Sequence, residues 1–166
     1  LWEILQKACV DSGTGCDVLS IPHNSNISNG RMFAVDYPET KSVEEEKARA
    51  ILRARMEPLV EIMQHKGDSE CRGSMPGVLG GADEACSFEK FEDIRHTSAD
   101  GEPGEPGLCW DFMADTLPKL GPGACMNHRN YVRYVLIEGL LEEERLGVNP
   151  FKLGIMASTD THNAMA

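Results

Sequence analysis

The sequence has no apolar run near the ~18 residues that a membrane-spanning helix needs. It also has no excess of positive charge, because 16 Lys and Arg stand against 27 Asp and Glu, for a net charge of −11 and a pI of about 4.8. An acidic surface of this kind disfavours binding to nucleic acids and to anionic membranes, but it is compatible with metal cations. Six cysteines occur without a CxxC pair, which argues against a zinc knuckle or a thioredoxin-type motif.

The composition is that of an ordinary globular protein, with 41 % hydrophobic and 26 % charged residues over 166 positions. The sequence does not begin with Met, and its first residues already follow an amphipathic helical pattern, so we expect a fragment of a larger protein. Cys9 is expected to pack within this first helix. Disulfides among Cys71, Cys86, Cys109 and Cys125 would pin an irregular region and would slightly favour an exported protein over a cytoplasmic one.

Helical and strand patterns alternate along the chain. Helices are predicted over residues 1–12, 43–56 and 128–146, and strands over 17–21, 59–64 and 153–158. The second helix is expected to bury a stripe made of Val43, Lys47, Ala50, Ile51 and Ala54. Residues 66–126 contain most of the Pro and Gly, which predicts a long irregular insertion. The alternation predicts a parallel α/β sheet, open or closed into a barrel.

Polar residues follow each predicted strand: His23 after the first, His65 after the second, and Asp160 to Asn163 after the third. Parallel strands bring these ends to one face of the sheet. Imidazole and carboxylate together suit zinc, manganese or iron, which would activate a water molecule as a nucleophile. We therefore predict that His23, Asp160 and His162 bind metal. The alternatives are that His23 caps a strand and that Asp160 lies in a turn closed by its own side chain.

Other polar residues near these strand ends have predicted roles towards the substrate. His65, Lys66 and Asp68 are predicted catalytic residues, and Lys66 either neutralises an anionic substrate such as a phosphate or is a solvated lysine. Glu61 lies on the same strand face as His65, and it either supports the metal ligands or ligates the ion itself. The predicted substrate contacts are Asn24, Arg31 and Asn163.

The segments IPHNSN, VEIMQHKGDSE and STDTHN, with the helix LIEGLLEEERLGVNPFKLG, resemble the C-terminal half of a bacterial family related to the polymerase-and-histidinol-phosphatase (PHP) metallohydrolases. The resemblance implies a distorted seven-stranded α/β barrel that holds two or three metal ions. It matches His23 to the histidine after a strand, Glu61 to a strand glutamate, and Asp160 and His162 to the terminal ligand pair. Asn24 stands where PHP proteins usually have proline.

The chain departs from the PHP pattern because it has no His-x-His motif, which PHP sites take from the first half of the barrel. The resemblance therefore predicts that residues 1–166 are the C-terminal part of a PHP-like barrel domain. Such a part would carry about half of the metal-ligand shell, and we expect the chain alone to be inactive.

The resulting prediction is half of a parallel, PHP-type α/β barrel, from a metal-dependent and phosphoesterase-like hydrolase. Its substrate is expected to be a small anion, its cofactors divalent metal ions, and neither a nucleic acid nor a membrane is an expected partner. Two alternatives stay open. One is a non-catalytic domain that binds a sugar or a cation, and the other is a phosphatase in which Asp160 is the nucleophile.

Overall fold

The computed structural model of the chain describes residues 1–73, 83–90 and 126–162. Within these ranges the helices are α1 (Trp2–Ala8), α2 (Val43–Met56) and α3 (Val132–Leu146), and the strands are β1 (Leu59–Gln64), β2 (Gly67–Asp68) and β3 (Gly154–Ala157). Short 3-10 turns occur at Val10–Ser12, Ser25–Ile27, Glu84–Ser87 and His128–Asn130. The predicted α/β class is therefore confirmed as a mixed α/β structure.

The described strands form a small open sheet in the order β2-β1-β3. β1 and β2 form an antiparallel hairpin in which Met63 faces Asp68 and Gln64 faces Gly67. β3 lies on the other side of β1. The Gly154 amide donates to the Pro58 carbonyl at 2.8 Å, and further along the Ser158 amide donates to the Met63 carbonyl at 3.1 Å. Both bonds advance in the same direction, as in a parallel pair, and α3 lies between β1 and β3 in the sequence.

The α2 helix begins and ends where the sequence predicts. Ser42 is its N-cap, and the Ser42 hydroxyl accepts a hydrogen bond from the Glu45 amide at 3.2 Å. Its first turn is acidic and its last turn is basic, which complements the helix dipole. Pro58 has no amide hydrogen and cannot continue the helix, so the chain passes directly into β1.

The buried face of α2 differs from the predicted stripe. Val43 and Ile51 are more than half exposed, whereas Ala50, Arg53 and Met56 are buried. The reason is that Arg53 packs in the core as an aromatic-stacked cation. Its guanidinium carbon lies 4.6 Å from the centre of the Phe151 ring, and its Nε lies 3.2 Å from a Glu57 carboxylate oxygen. Periodicity alone assigns a charged residue such as Arg53 to the exposed face of a helix. Here its contacts with Phe151 and Glu57 allow it to be buried instead.

The chain before α2 differs from the prediction in three places. The first helix ends at Ala8 and not at residue 12. Cys9 does not pack as a free thiol, because it forms a disulfide with Cys16. Residues 17–21 do not form a strand. The Asp17 carboxylate accepts a hydrogen bond from the next amide, and the Ser20 amide donates to the Met56 carbonyl at 2.7 Å, so this segment is held by the end of α2 instead of by a neighbouring strand.

The α3 helix begins at Val132, after a 3-10 turn over His128–Asn130 that the sequence assigns to the helix itself. Asn127 caps that turn by accepting a hydrogen bond from the Arg129 amide at 2.9 Å. Within the predicted insertion, the structure describes β2, a 3-10 turn and a disulfide between Cys71 and Cys86. The predictions for Cys109 and Cys125 lie outside the described residues, as does that for Asn163. No helix in the described ranges has both the length and the apolar character needed to cross a bilayer.

The chain divides into two compact units. The first unit consists of Leu1–Pro22, Val35–Val60 and Leu136–Ile155, and the second of His23–Ala34, Glu61–Val135 and Met156–Ala166. Arg53 and its aromatic partners belong to the first unit. Every candidate site residue of the sequence belongs to the second unit, so the site is described within that unit.

Candidate functional site

The β1–β2 turn, His65 and Lys66, carries two of the predicted site residues. The turn is closed by the pairing of Gln64 with Gly67, and Gly67 has a φ of 89°, which glycine adopts without the steric penalty of a side chain. The loop of residues 23–31, here called the histidine loop, contacts this turn through Asn26, whose side-chain amide donates to the Lys66 carbonyl at 2.9 Å. The turn is therefore fixed by its own geometry and by the histidine loop.

The segment after β3 lies against the same turn. His65 Nδ1 lies 2.8 Å from the Thr159 carbonyl oxygen, and because a carbonyl can only accept, Nδ1 carries the proton. Lys66 Nζ lies 3.6 Å from one Asp160 carboxylate oxygen, and His162 Nε2 lies 2.7 Å from the other. The structure thus brings together the side chains of His65, Lys66, Asp160 and His162.

Glu61 lies on β1 with only 8 % of its surface exposed. Its Oε1 is shielded from solvent, and no donor in the described part of the chain reaches it. Burial raises the pKa of the Glu61 carboxyl above its ordinary value, and the charge of Asp160 adds to the rise, while His23, Lys66 and His65 lower it. His23 on the histidine loop therefore interacts electrostatically with Glu61, as do Lys66 and His65 on the turn.

Asp160 has the opposite electrostatic environment. The hydrogen bond from His162 is the main cause that lowers the pKa of the Asp160 carboxyl, and the charges of His162, Lys66 and His65 lower it further. Asp160 also has a φ of 54°, a left-handed conformation that aspartate tolerates better than most residues. Asp160 is therefore the ionised carboxylate of the group, and Glu61 is the carboxyl that retains its proton to higher pH.

The histidine loop is ordered by Asn130, which sequence reasoning missed. Asn130 is completely buried, and its Oδ1 accepts from the Gly30 amide and, at 3.5 Å, from the Ser28 hydroxyl. Its Nδ2 donates to the Asn26 carbonyl at 3.0 Å. The density of Asn and Ser in the loop indicates that it needs hydrogen-bond partners, but the sequence does not tell which distant residue supplies them.

The remaining candidate residues that the structure describes are His23, Asn24, Arg31 and Asp68. His23 and Arg31 are exposed, and Asn24 is partly buried in a left-handed conformation with its Oδ1 shielded from solvent. Asp68 is buried, and its carboxylate accepts from Lys90 Nζ and from the Glu70 amide. Among the described contacts none joins Asp68 to Asp160 or Glu61, so the structure does not add Asp68 to the group.

The predicted metal ligands come together only in part. Asp160 and His162 are in direct contact, and His23 interacts electrostatically with Glu61. Across residues 1–73, 83–90 and 126–162, no three His, Cys, Asp or Glu side chains are arranged to hold one metal ion.

Comparison with known proteins gives a single informative result. A family model described as a protein of unknown function, DUF3604, matches residues 1–166. No curated protein matches the chain, and no solved structure matches it. The matched family has no assigned activity, so the resemblance to PHP metallohydrolases stays a prediction. The match spans the whole sequence, and the chain therefore belongs to the DUF3604 family.

Proposed function

We propose that this chain is part of a metal-dependent hydrolase that acts on a phosphoester or a similar anionic ester. The observation that carries the proposal is the buried Glu61 carboxyl, whose Oε1 has no donor within the described residues and which lies in the electrostatic field of His23, Asp160, Lys66 and His65. A buried carboxylate oxygen without a hydrogen bond is costly unless it meets a proton or a cation. A divalent cation between these side chains would remove that cost.

The donor set suits a metal ion in part. Carboxylate oxygen and imidazole nitrogen are ligands for zinc, manganese and iron. In this proposal His23, Asp160 and His162 bind the metal, and the positive charge of the ion also compensates the buried Glu61 carboxyl on β1. When bound, a divalent metal supplies an activated water molecule as the nucleophile. Because the described residues hold no complete ligand group, the other ligands come from residues beyond those described. A PHP-type barrel, of which this sheet would be one part, would supply them.

The side chains of the β1–β2 turn act on the substrate. Lys66 is adjacent to Asp160, and its ammonium binds a negatively charged substrate oxygen. In neutral His65 the Nδ1 proton is held by the Thr159 carbonyl, so its Nε2 has the lone pair that accepts a proton. Arg31 on the histidine loop adds a second positive charge, and Asn24 and Asn163 contact the substrate. Asp68 pairs with Lys90 and the Glu70 amide, and because no described contact joins it to Asp160 or Glu61, it has no role in the proposed chemistry.

The test is an Asp160→Asn variant of the full protein, which keeps the shape of the side chain and removes its charge. We expect Mn²⁺ binding by calorimetry to weaken by roughly 10- to 100-fold and hydrolysis of a panel of phosphoesters to be lost. Asp36→Asn, an exposed aspartate of the first unit, is the matched control and should behave as wild type. Unchanged turnover in Asp160→Asn would overturn the proposed site.

A second candidate function is a domain that binds a cation or a sugar without catalysis. The side-chain oxygens of Asn24 and Asn26 in the histidine loop are shielded from solvent and reached by no donor in the part of the chain that the structure describes. Amide oxygens of this kind are ligands for hard cations and for sugar hydroxyls. Binding of Mn²⁺ or of a sugar with no hydrolysis of any ester in the panel would favour this candidate.

A further inference from the structure

Asn130 is not one of the candidate site residues. It is connected to them through the histidine loop, which it contacts. It makes four side-chain or carbonyl hydrogen bonds to that loop: to the Gly30 amide, to the Ser28 and Ser25 hydroxyls, and to the Asn26 carbonyl. Completely buried asparagine is uncommon unless its amide is satisfied. Here one asparagine links the two ends of the loop around its single 3-10 turn, Ser25–Ile27.

Asn26 extends this network to the β1–β2 turn. Its carbonyl accepts from Asn130, its side-chain amide donates to the Lys66 carbonyl at 2.9 Å, and its backbone amide donates to the Ser69 hydroxyl at 3.2 Å. The Ser69 carbonyl in turn accepts from the Val132 amide at 2.9 Å, at the start of α3. A chain of hydrogen bonds therefore runs from Asn130 through Asn26 to the backbone carbonyl of Lys66.

We propose that Asn130 and Asn26 are positioning residues that set the spacing between the histidine loop and the β1–β2 turn, and hence between His23 and Lys66. What His23 and Lys66 bind rests on the proposed function above. The hydrogen-bonded link between the loop and the turn does not depend on it. Neither asparagine touches the reacting atoms. Each acts by fixing a backbone segment that carries a site residue.

The chemistry of the link requires an amide. The Asn130 Oδ1 accepts from the loop and its Nδ2 donates to it, so aspartate would keep the first interaction and place an oxygen against the Asn26 carbonyl in the second. The loop also packs closely against the Asn127 side chain at Gly30. Gly30 has a φ of 75°, and a Cβ there would lie 2.5 Å from the Asn127 side-chain carbon. The link is therefore expected to be sensitive to a one-atom change.

The test compares Asn130→Asp and Asn26→Ala with Asn149→Asp in the full protein. Asn149 is a buried asparagine of the first unit whose Oδ1 accepts from the Phe151 amide at 2.8 Å, so Asn149→Asp is the same chemical change made outside the link. Hydrogen exchange by mass spectrometry reports the order of residues 23–31 and 65–69 without any metal. Calorimetric titration with Mn²⁺ reports the effect on the candidate site, at a temperature at which each variant is folded.

We expect Asn130→Asp to increase exchange in both segments and to weaken Mn²⁺ binding by roughly 10- to 100-fold, as changes behind metal ligands do. Asn26→Ala should increase exchange in residues 65–69 and weaken Mn²⁺ binding similarly, and Asn149→Asp should change neither segment. A folded Asn130→Asp with wild-type exchange in residues 65–69 would overturn the link, as would increased exchange spread equally over both units. If Asn130→Asp does not fold, Asn26→Ala decides by the same criteria. If the wild-type protein binds no Mn²⁺, the proposed function fails and the exchange data alone decide the link.

Discussion

Glu61 and Asp160 carry the same functional group in opposite electrostatic surroundings. Burial raises the pKa of Glu61, and the hydrogen bond from His162 lowers the pKa of Asp160. A carboxyl with a raised pKa retains its proton at a pH where a carboxyl with a lowered pKa is ionised. Asp160 can thus carry the negative charge of the group while Glu61 responds to pH or to a bound cation.

The buried Glu61 carboxyl predicts a pH-dependent stability. Its pKa is raised above the ordinary 4.5, so the folded protein holds this proton more tightly than the unfolded chain does. The contribution of Glu61 is therefore fully present below that ordinary value and is lost as pH rises through the raised one. Glu61→Gln removes this loss. We expect the free energy of unfolding of the variant, relative to that of wild type, to be higher at about pH 8 than at about pH 4.

Urea denaturation of both proteins at the two pH values, with a chelator present, measures this difference. Glu144→Gln, which changes an exposed glutamate on α3, is the control and should show the wild-type pH dependence. The interpretation of Glu61 as a strained buried acid is wrong if Glu61→Gln and wild type differ by the same amount at both pH values.

Individual site residues were predictable to different degrees from the sequence. The position of Glu61 within an apolar strand indicates a buried carboxylate, and the Asp-x-His spacing indicates a pair, because both signals are local. Asn130 gives no such signal. Its partners Ser25, Ser28 and Gly30 are about 100 residues away in the sequence. Its role depends on a tertiary contact that no local pattern encodes.

Elements show the same division between local and tertiary information. α2 and α3 were predictable because capping residues, Pro58 and Gly147 mark their ends, and β1 because most of its residues are apolar. β2 has two residues and therefore no periodicity, and it exists because the turn before it pairs Gly67 with Gln64. The segment of residues 17–21 has the composition of a strand but pairs with no strand among the residues that the structure describes.

The β1–β2 turn predicts a specific sensitivity at Gly67. An alanine in the left-handed conformation costs about 1–2 kcal/mol, so Gly67→Ala should lower the free energy of unfolding by that amount and loosen His65 and Lys66. Gly73→Ala is the matched control, because Gly73 has no positive φ and a Cβ there would make an ordinary 3.5 Å contact with the Ser87 hydroxyl. Urea denaturation measures both changes. Equal losses in the two variants would show that the turn conformation is not the cause.

At the scale of the whole molecule, each compact unit has one described disulfide. Cys9–Cys16 lies in the first unit and Cys71–Cys86 in the second. The units themselves were not predictable from the sequence, since each is assembled from three separate chain segments. The candidate site draws on all three segments of the second unit. Its integrity therefore depends on long-range contacts and not on any single element.

The two disulfides predict that the units can be destabilised separately. Cys71 and Cys86 are 15 residues apart, and closing a loop of that length stabilises the folded state by about 3 kcal/mol. The double variant Cys71→Ser, Cys86→Ser should lose about that much stability in urea and should increase hydrogen exchange in residues 61–73 and 83–90. Lys90 also contacts Asp68 and the Cys71 carbonyl, so this loss should reach β2.

Cys9→Ser, Cys16→Ser is the matched comparison, because it opens a loop of 7 residues in the first unit. The shorter loop predicts a slightly smaller loss, about 2.5 kcal/mol, with increased exchange in residues 1–22 and unchanged exchange in residues 61–73. Mn²⁺ binding should then weaken only in the Cys71→Ser, Cys86→Ser variant, because the candidate site lies in the second unit. If both double variants weaken Mn²⁺ binding and raise exchange throughout the chain, the two units unfold together and the site depends on the first unit as well.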